Sequence, residues 1–477
     1  MAQVTAIMWF RQDLRVSDNP ALQAAVRAGA VLPVFIYDAV IASTASPGSA
    51  SAWWLSRSLA ALNKTLGGRL VVRHGDAAEV LDALVTDTGA SVVCWNRCYE
   101  PEAIARDTAI KQQLKARGVQ VTSHKAAVLF EPWELLKPDG LPYKVFTAYY
   151  KRGYTSISAP AIPASTPIKP VTDAGVSRGE IEALGLLPGV AWYHKLAPQW
   201  QPGEQGAQAA LQRFLDQGVA NYREGRDFPA VDAVSRLSMH LHFGEISPQQ
   251  IVATSRKHPV NKRAGEEVQA FFRELAWREF SVYQLYHFPH MQTRNLRDAF
   301  DRFPWQAHPQ HLKAWQRGQT GYPLIDAGMR ELWQTGFMHN RVRMVVASFL
   351  VKNLLIDWRE GERWFRECLL DADLASNCAN WQWVAGCGLD AAPYFRIFNP
   401  LTQSQKFDPD GAYIRRYVPE LKQLPNKALH APFQAKSTVL AAAGVTLGQT
   451  YPEPIVDLAP TRERALNDFA SIRQARA

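Results

Sequence analysis

Cysteine is scarce in this 477-residue chain: the five thiols, Cys94, Cys98, Cys368, Cys378 and Cys387, include no Cys-x-x-Cys. An odd set without paired spacing builds no disulfide framework and fits a reducing compartment. Histidines such as His287 and His290 have no carboxylate or cysteine at ligand spacing, so neither a zinc nor an iron–sulfur site is expected, and no metal at all. No apolar run approaches the roughly 18 residues that span a bilayer. The opening MAQVTAIMWFRQDLR meets arginine and aspartate before a signal-peptide core could form. A soluble, cytoplasmic protein without a membrane partner is the expectation. No Gly-x-Gly-x-x-Gly follows the first β-like run, which removes the usual dinucleotide fingerprint. There is no internal repeat.

What is present begins with size and charge. A chain this long exceeds one ordinary core, so two or more domains are expected. Lysine and arginine number 53 against 44 acids, a formal charge of +9, which favours a polyanionic partner. Of 15 tryptophans, nine lie from Trp200 to Trp383. They serve either a tryptophan-rich core or stacking and redox chemistry.

Residues 1–131 alternate β-branched runs (VTAIMWF, AVLPVFIYD, RLVVRHG, SVVCWNR, VQVTSH) with helical stretches, the pattern of a Rossmann-like parallel α/β sheet. Asn19 and Pro20 form an N-cap and N1 pair for the first helix. Residues 132–204 lose the period, and SAPAIPASTPIKPV reads as an interdomain connection. Residues 205–477 carry apolar residues at helical spacing with almost no alternation. They predict a large all-α domain able to bury a sizeable ligand, with the chain ending soon after YPEPIVDLAP.

Five stretches stand out. In FFRELAWREF, Glu274, Trp277 and Arg278 share one helical face, as a solvated charge pair beside a core tryptophan or as part of a pocket. In GFMHNRVRMVV, Asn340, Arg341 and Met344 repeat that geometry, and a methionine there is usually core filling. In VSRLSMHLHFG, Ser235, Arg236 and Ser238 suit a phosphate at a helix start, although serine capping explains much of the pattern. ISPQQ is a capping box at Ser247, Pro248 and Gln250 that needs no function. Finally, DADLASNCANWQW sets Asp371 and Asp373 ahead of Asn377 and Trp381, themselves four apart. Buried carboxylates need partners, and Arg343 is a candidate.

Together MWFRQDLRVSDNPAL, RDFPAVDAVSRLSMHLHFGEISP, FFRELAWREF, TGYPLIDAGMRELWQTGFMHNRVRM, LLIDWREGERWF and DADLASNCANWQWVAGCGLDAAPYFRIFNP resemble the DNA photolyase and cryptochrome family, nearly end to end. The nearest likeness is to bacterial cyclobutane pyrimidine dimer photolyases, with features of their third class. The resemblance implies an α/β antenna domain and a helical domain holding FAD. Tyr222, Ser235, Arg236, Leu237, Ser238 and Arg278 match positions on the FAD phosphates and ribityl chain. Phe271 stands where some relatives place tryptophan against the flavin. Arg343 paired with Asp371 matches residues along the isoalloxazine, Asp373 one at its polar edge, and Asn377 the residue facing N5. Trp381, Trp358 and Trp305 match an electron-conducting chain. Glu274, Trp277, Asn340, Arg341, Met344, Trp383, Gln403 and Arg226 match contacts to a flipped-out dimer or its DNA.

The implied activity is light-driven repair of cyclobutane dimers in UV-damaged DNA by a carbon–carbon lyase, expected to be monomeric. The alternative, a blue-light photoreceptor, is disfavoured by Asn377, where plant photoreceptors carry aspartate, by the lesion-facing Trp277, Met344 and Trp383, and by the lack of a C-terminal signalling extension. Repair of (6-4) photoproducts would want two histidines where His339 and Asn340 stand. Val234 and Met239 depart from the hydroxyl residue and proline usual around Ser-Arg-Leu-Ser, which bears on one phosphate hydrogen bond and on the helix start. WNRCYEPEAIARD lacks the asparagine–glutamate pair of the best-known folate binders. The third-class features favour methenyltetrahydrofolate as antenna over a deazaflavin.

Overall fold

The structure, a computed structural model, describes residues 5–155, 157, 160, 162, 175–390 and 395–474. Most of the proline-rich stretch SAPAIPASTPIKPV lies outside the described residues. Five strands, β1 (Ala6–Phe10), β2 (Val31–Tyr37), β3 (Val71–His74), β4 (Val92–Asn96) and β5 (Gln120–His124), form one sheet in the order β3-β2-β1-β4-β5. Every pairing is parallel. β1 and β2 are buried along their whole length, as strands covered by helices on both faces must be. Ile7, Trp9, Val34, Ile36, Val93 and Trp95 belong to one core with Leu81, Leu84, Ile110 and Leu114 of the flanking helices. Between β1 and β2, helix α1 (Pro20–Ala28) starts where expected, with Asn19 accepting from Leu22 N–H.

The chain divides into two compact units. The first comprises residues 1–220, 235–289 and 370–375, and the second residues 221–234, 290–369 and 376–477. Within the first, helices join the sheet. The longest is α2 (Gly265–His287), and Pro248–Lys257 carries the complete capping box read at Ser247 and Gln250. The stretch expected to be an aperiodic connection contains a helix, Phe146–Gly153, whose Phe146 and Tyr149 are buried in a cluster with Ala276, Phe280 and Tyr283 of α2. Aromatic spacing over two turns was too short a signal to read as periodic.

The second unit is helical among its described residues. It includes α3 (Asn340–Ser348), α4 (Trp358–Cys368), most of α5 (Leu374–Ala385) and α6 (Pro400–Phe407), and a further helix, Leu458–Gln474, begins at the end of YPEPIVDLAP. No helix among the described residues is long and apolar enough to cross a membrane.

In an open parallel sheet, ligands ordinarily enter the crevice where strand order reverses, here beyond β1 and β4. The innermost part of this crevice is taken up by the chain's own side chains. Arg11, following β1 and 1% exposed, pairs with Asp107 at 2.8 Å, lies 4.5 Å over the Trp9 ring and donates to the Asn96 carbonyl. Asn96 in turn donates to Asn19 Oδ1 at 2.7 Å and accepts from Ala21 N–H at 3.1 Å. Arg106 bridges Asp107 and Asp38. Removing one partner of a buried pair leaves the other uncompensated. Asp107→Ala should accordingly destabilise the protein by about 3 kcal/mol in denaturant melts, whereas Asp139→Ala on the exposed Lys137 pair should leave the melt unchanged.

Candidate functional site

In the first unit, α2 presents Phe271, Glu274, Trp277 and Arg278. Phe271 is buried 4.7 Å from the Phe214 ring. Trp277 is half-buried and lies face to face with Phe146, centroids 3.5 Å apart and planes 9° apart. The indole is thus held flat by a ring the sequence reading had not singled out. The helix is anchored by buried Glu279, which accepts from Leu129 N–H at 2.8 Å, from Phe130 N–H and from the Tyr154 hydroxyl. Burial pushes Glu279 up to about 7 against these donors. The reading of Glu274 and Arg278 as a solvated charge pair is corrected for Arg278, whose Nη1 donates to the Ala127 carbonyl at 2.8 Å.

The Ser235–Ser238 turn is also not a serine cap. The helix Ser238–His242 starts after Leu237 with no side-chain cap, and the Ser235 hydroxyl accepts weakly from Leu237 N–H at 3.4 Å. Arg236 instead sits in the left-handed region at φ 53°, followed by right-handed Leu237. Opposite-handed neighbours point successive N–H groups into one concavity, an anion-binding arrangement. A non-glycine residue held there costs about 1 kcal/mol or more. The helix starts at Ser238 despite Met239 replacing proline, and Met239 is fully buried.

Asp373 and Arg278 line one cleft of about 380 Å³ with Gln12, Cys98, Tyr99 and Glu100. Burial, then the neighbouring Asp373, raises the Glu100 carboxyl. Burial also pushes the Cys98 thiol up to about 12, which favours the uncharged thiol. His242, 3% exposed, has no hydrogen-bond partner on either ring nitrogen and lies 3.9 Å from Asp373. Gln12, Glu100 and His242 were missed by the sequence reading. The long-range register of β1, β4 and the Ser238 helix brings them to Asp373, and no local spacing announces it.

In the second unit, Tyr222 begins the short helix Tyr222–Gly225 and lies 5.5 Å from the Arg226 guanidinium. Helix α3 places Asn340 exposed and Arg341, Arg343 and Met344 half-buried along its outer side. Met344 is therefore not core filling. Arg343 Nε donates to the Met338 carbonyl at 2.7 Å. His339 caps α3, its Nδ1 accepting from Arg341 N–H at 3.2 Å.

On α5, Asn377 spends both amide hydrogens on Glu362, one to its carbonyl at 3.1 Å and one to its carboxylate at 2.9 Å. Only its Oδ1 is left to face a ligand. Glu362, itself paired with Arg366, was another residue missed. One turn further, Trp381 is 2% exposed, 5.0 Å from the Phe365 ring, with its indole N–H unpartnered. Its ring lies so close to α4 that a Cβ on Gly361 would overlap it. Trp358 is wholly buried and donates to Asn295 at 2.9 Å, while Trp305 is half-buried against Phe303. Trp383 lines a cleft of about 340 Å³ with Arg297, Lys352 and Arg396, and burial pushes the Lys352 amine down to about 7. Gln403 of α6 is half-buried, its Oε1 without a partner.

In the first unit the turn at Arg236 suits an anion, and in the second a fixed amide one turn from a buried indole with an unspent donor suits a planar ring. Among the described residues no group of histidine, cysteine and acid side chains could hold a metal.

Comparison with known proteins adds the following. The family model for DNA photolyase matches residues 6–167, and that for the FAD binding domain of DNA photolyase matches residues 271–471. A deoxyribodipyrimidine photo-lyase of Agrobacterium fabrum is 49% identical over 98% of each chain. Cryptochrome-2 of Arabidopsis thaliana is 39% identical over 98% of this chain and 79% of its own. The crystal structure of a bacterial class III photolyase from Agrobacterium tumefaciens superposes with a TM-score of 0.94 at 48% identity, covering 99% of this chain and 98% of that one.

The cap on α3 makes one prediction. Burial, then the nearby Arg343 and Arg341, depresses His339 from 6.5 to about 4, with Asp227 opposing. A base whose folded pKa is depressed loses stability as pH falls from 6.5 towards 4, because only the unfolded chain takes up the proton. His339→Asn keeps a capping side chain and should flatten the fall of melting temperature over that window. An unchanged acid limb would exclude His339 as its source.

Proposed function

The chain belongs to the DNA photolyase family, and on that premise we propose that it repairs cyclobutane pyrimidine dimers in DNA under near-UV or blue light. Reduced FAD, held by these residues, would supply light-driven one-electron chemistry for opening the cyclobutane ring. The rest is the work of this chain's side chains.

The turn at Ser235, Arg236, Leu237 and Ser238 would hold the phosphates through N–H groups and a guanidinium, with Tyr222 and Arg278 on the same nucleotide. Phe271, Arg343, Asp371 and Asp373 would border the ring system. Asn377 would offer its amide oxygen to the N5 side, because Glu362 consumes both amide hydrogens. Aspartate at position 377 could not donate to Glu362 in this way unless protonated, which supports repair over photoreception.

Glu274, Trp277, Asn340, Arg341, Met344, Trp383, Gln403 and Arg226 would receive the flipped dimer and its strand. Trp277, already flattened against Phe146, pays little ordering cost when a pyrimidine stacks on its far face. For the antenna we favour methenyltetrahydrofolate over a deazaflavin; pigment released on denaturation identifies it by its absorption.

The observation that carries this reading is on α5, within the matched FAD-binding segment: an asparagine locked by Glu362, one turn before a buried indole whose N–H has no partner. The decisive experiment illuminates purified, reduced protein with a dimer-containing oligonucleotide and counts restored thymines, with a (6-4) substrate in parallel. Restoration of the first alone is expected, and repair of neither would overturn the reading. A second test concerns the indoles at Trp381, Trp358 and Trp305. Trp381→Phe should slow light-driven reduction of the oxidised protein more than tenfold while leaving repair by chemically reduced enzyme within about twofold. Equal loss of both would remove Trp381 from electron supply.

A further inference from the structure

Arg341, read above as a DNA contact, does not wait for DNA as a loose surface cation. Its Nη2 pairs with Asp227 Oδ1 at 2.7 Å, and its guanidinium carbon lies 4.4 Å from the Phe407 ring centroid. Its Nε is buried with no acceptor. Both ends of the pair are fixed. Arg341 N–H donates to the His339 cap at 3.2 Å, and Asp227 N–H closes a turn onto the Glu224 carbonyl at 3.1 Å. The side chains remain reachable, 18% exposed for Arg341 and 32% for Asp227. Arg226 adjoins Asp227 in sequence, and Asp227, Arg226, Arg341 and Arg343 all act electrostatically on His339. The Asp227 carboxylate therefore sits among three guanidinium groups, while Glu331 is turned to the His339 main-chain N–H.

We propose that Asp227 is a specificity-determining residue for damaged DNA: it restrains Arg341 from undamaged backbone and presents it, already ordered, to the strand bearing the flipped dimer. The inference rests on the reading of Arg341 as a DNA contact. The carboxylate cancels local charge, so encounters with arbitrary phosphate release fewer counterions and gain less. A guanidinium already clamped between a carboxylate and a phenyl ring loses little freedom when the lesion complex forms, so the cost of ordering a long side chain is met before binding. Selectivity then comes from weakening the wrong complex as well as favouring the right one.

The test uses the oxidised holoprotein in the dark, so that no turnover occurs, with matched duplexes with and without one dimer. D227N should bind undamaged duplex about fivefold or more tightly at low salt, with a salt slope steeper by about one, and should gain nothing on the dimer duplex. The ratio of the two affinities falls. F407L, which removes the stacked ring without changing charge, should weaken dimer binding without strengthening binding to undamaged DNA. An unchanged affinity ratio in D227N, or an F407L protein that binds both duplexes as the parent does, overturns the proposal. R341A separates the two roles. If R341A binds dimer DNA like the parent, the reading of Arg341 itself fails. If R341A loses affinity while D227N keeps the parental ratio, the role of Asp227 alone fails. Thermal melts of each variant show whether the fold is intact, and F407L keeps the proposal falsifiable should D227N not fold.

Discussion

Much of the first unit depends on one buried guanidinium. Arg15, 1% exposed, donates to the Asp18 carbonyl at 2.8 Å, to the Gly244 carbonyl at 2.8 Å and to the Ala126 carbonyl at 3.2 Å. A buried cation that spends its donors on main-chain oxygens costs least where those oxygens have no other donor. Arg15 thereby joins the loop after β1, the segment after β5 and the turn ending the Ser238–His242 helix. That turn fits because Gly244 has φ 63° and no side chain; a Cβ would overlap the Gln12 carbonyl. Glu245 extends the joint by accepting from Trp54 Nε1 at 3.0 Å and Gly203 N–H at 2.7 Å. The anion-binding turn at Arg236 hence stands on the same framework as the sheet, and its unusual backbone is held by neighbours that cannot relax.

The same logic of fixing a group before it is needed recurs elsewhere. Asn377 is oriented by Glu362, Trp277 is flattened by Phe146, and Arg341 is clamped by Asp227 and Phe407. In each case the residue expected to meet cofactor or substrate is oriented by a second one. Such preorganisation lowers the ordering cost of the bound complex.

The sequence made the five strands, the Asn19 cap and the capping box at Ser247 legible, because each rests on periodicity or on side-chain chemistry within four residues. Phe271, Glu274, Trp277, Asn340, Arg341, Asn377 and Trp381 were visible as motif residues. Their holders were not. Phe146 lies in a stretch without apparent period, Asp227 is far from Arg341 in the chain, and Glu362 reaches Asn377 from another helix. Contacts of that kind depend on how helices cross, which no local pattern encodes. At Ser235–Ser238 the sequence left two readings, a serine cap and a phosphate site, and the uncapped helix start with the torsion of Arg236 speaks against the first.

The crowded rim beyond β1 and β4 bears on how this architecture could be altered. At the reversal point of this sheet Arg11, Asn96 and Asp107 take up the innermost space, and the cleft lined by Gln12, Cys98 and Glu100 opens beside them. Deepening that cleft towards the sheet would mean dismantling ionic groups that the core relies on.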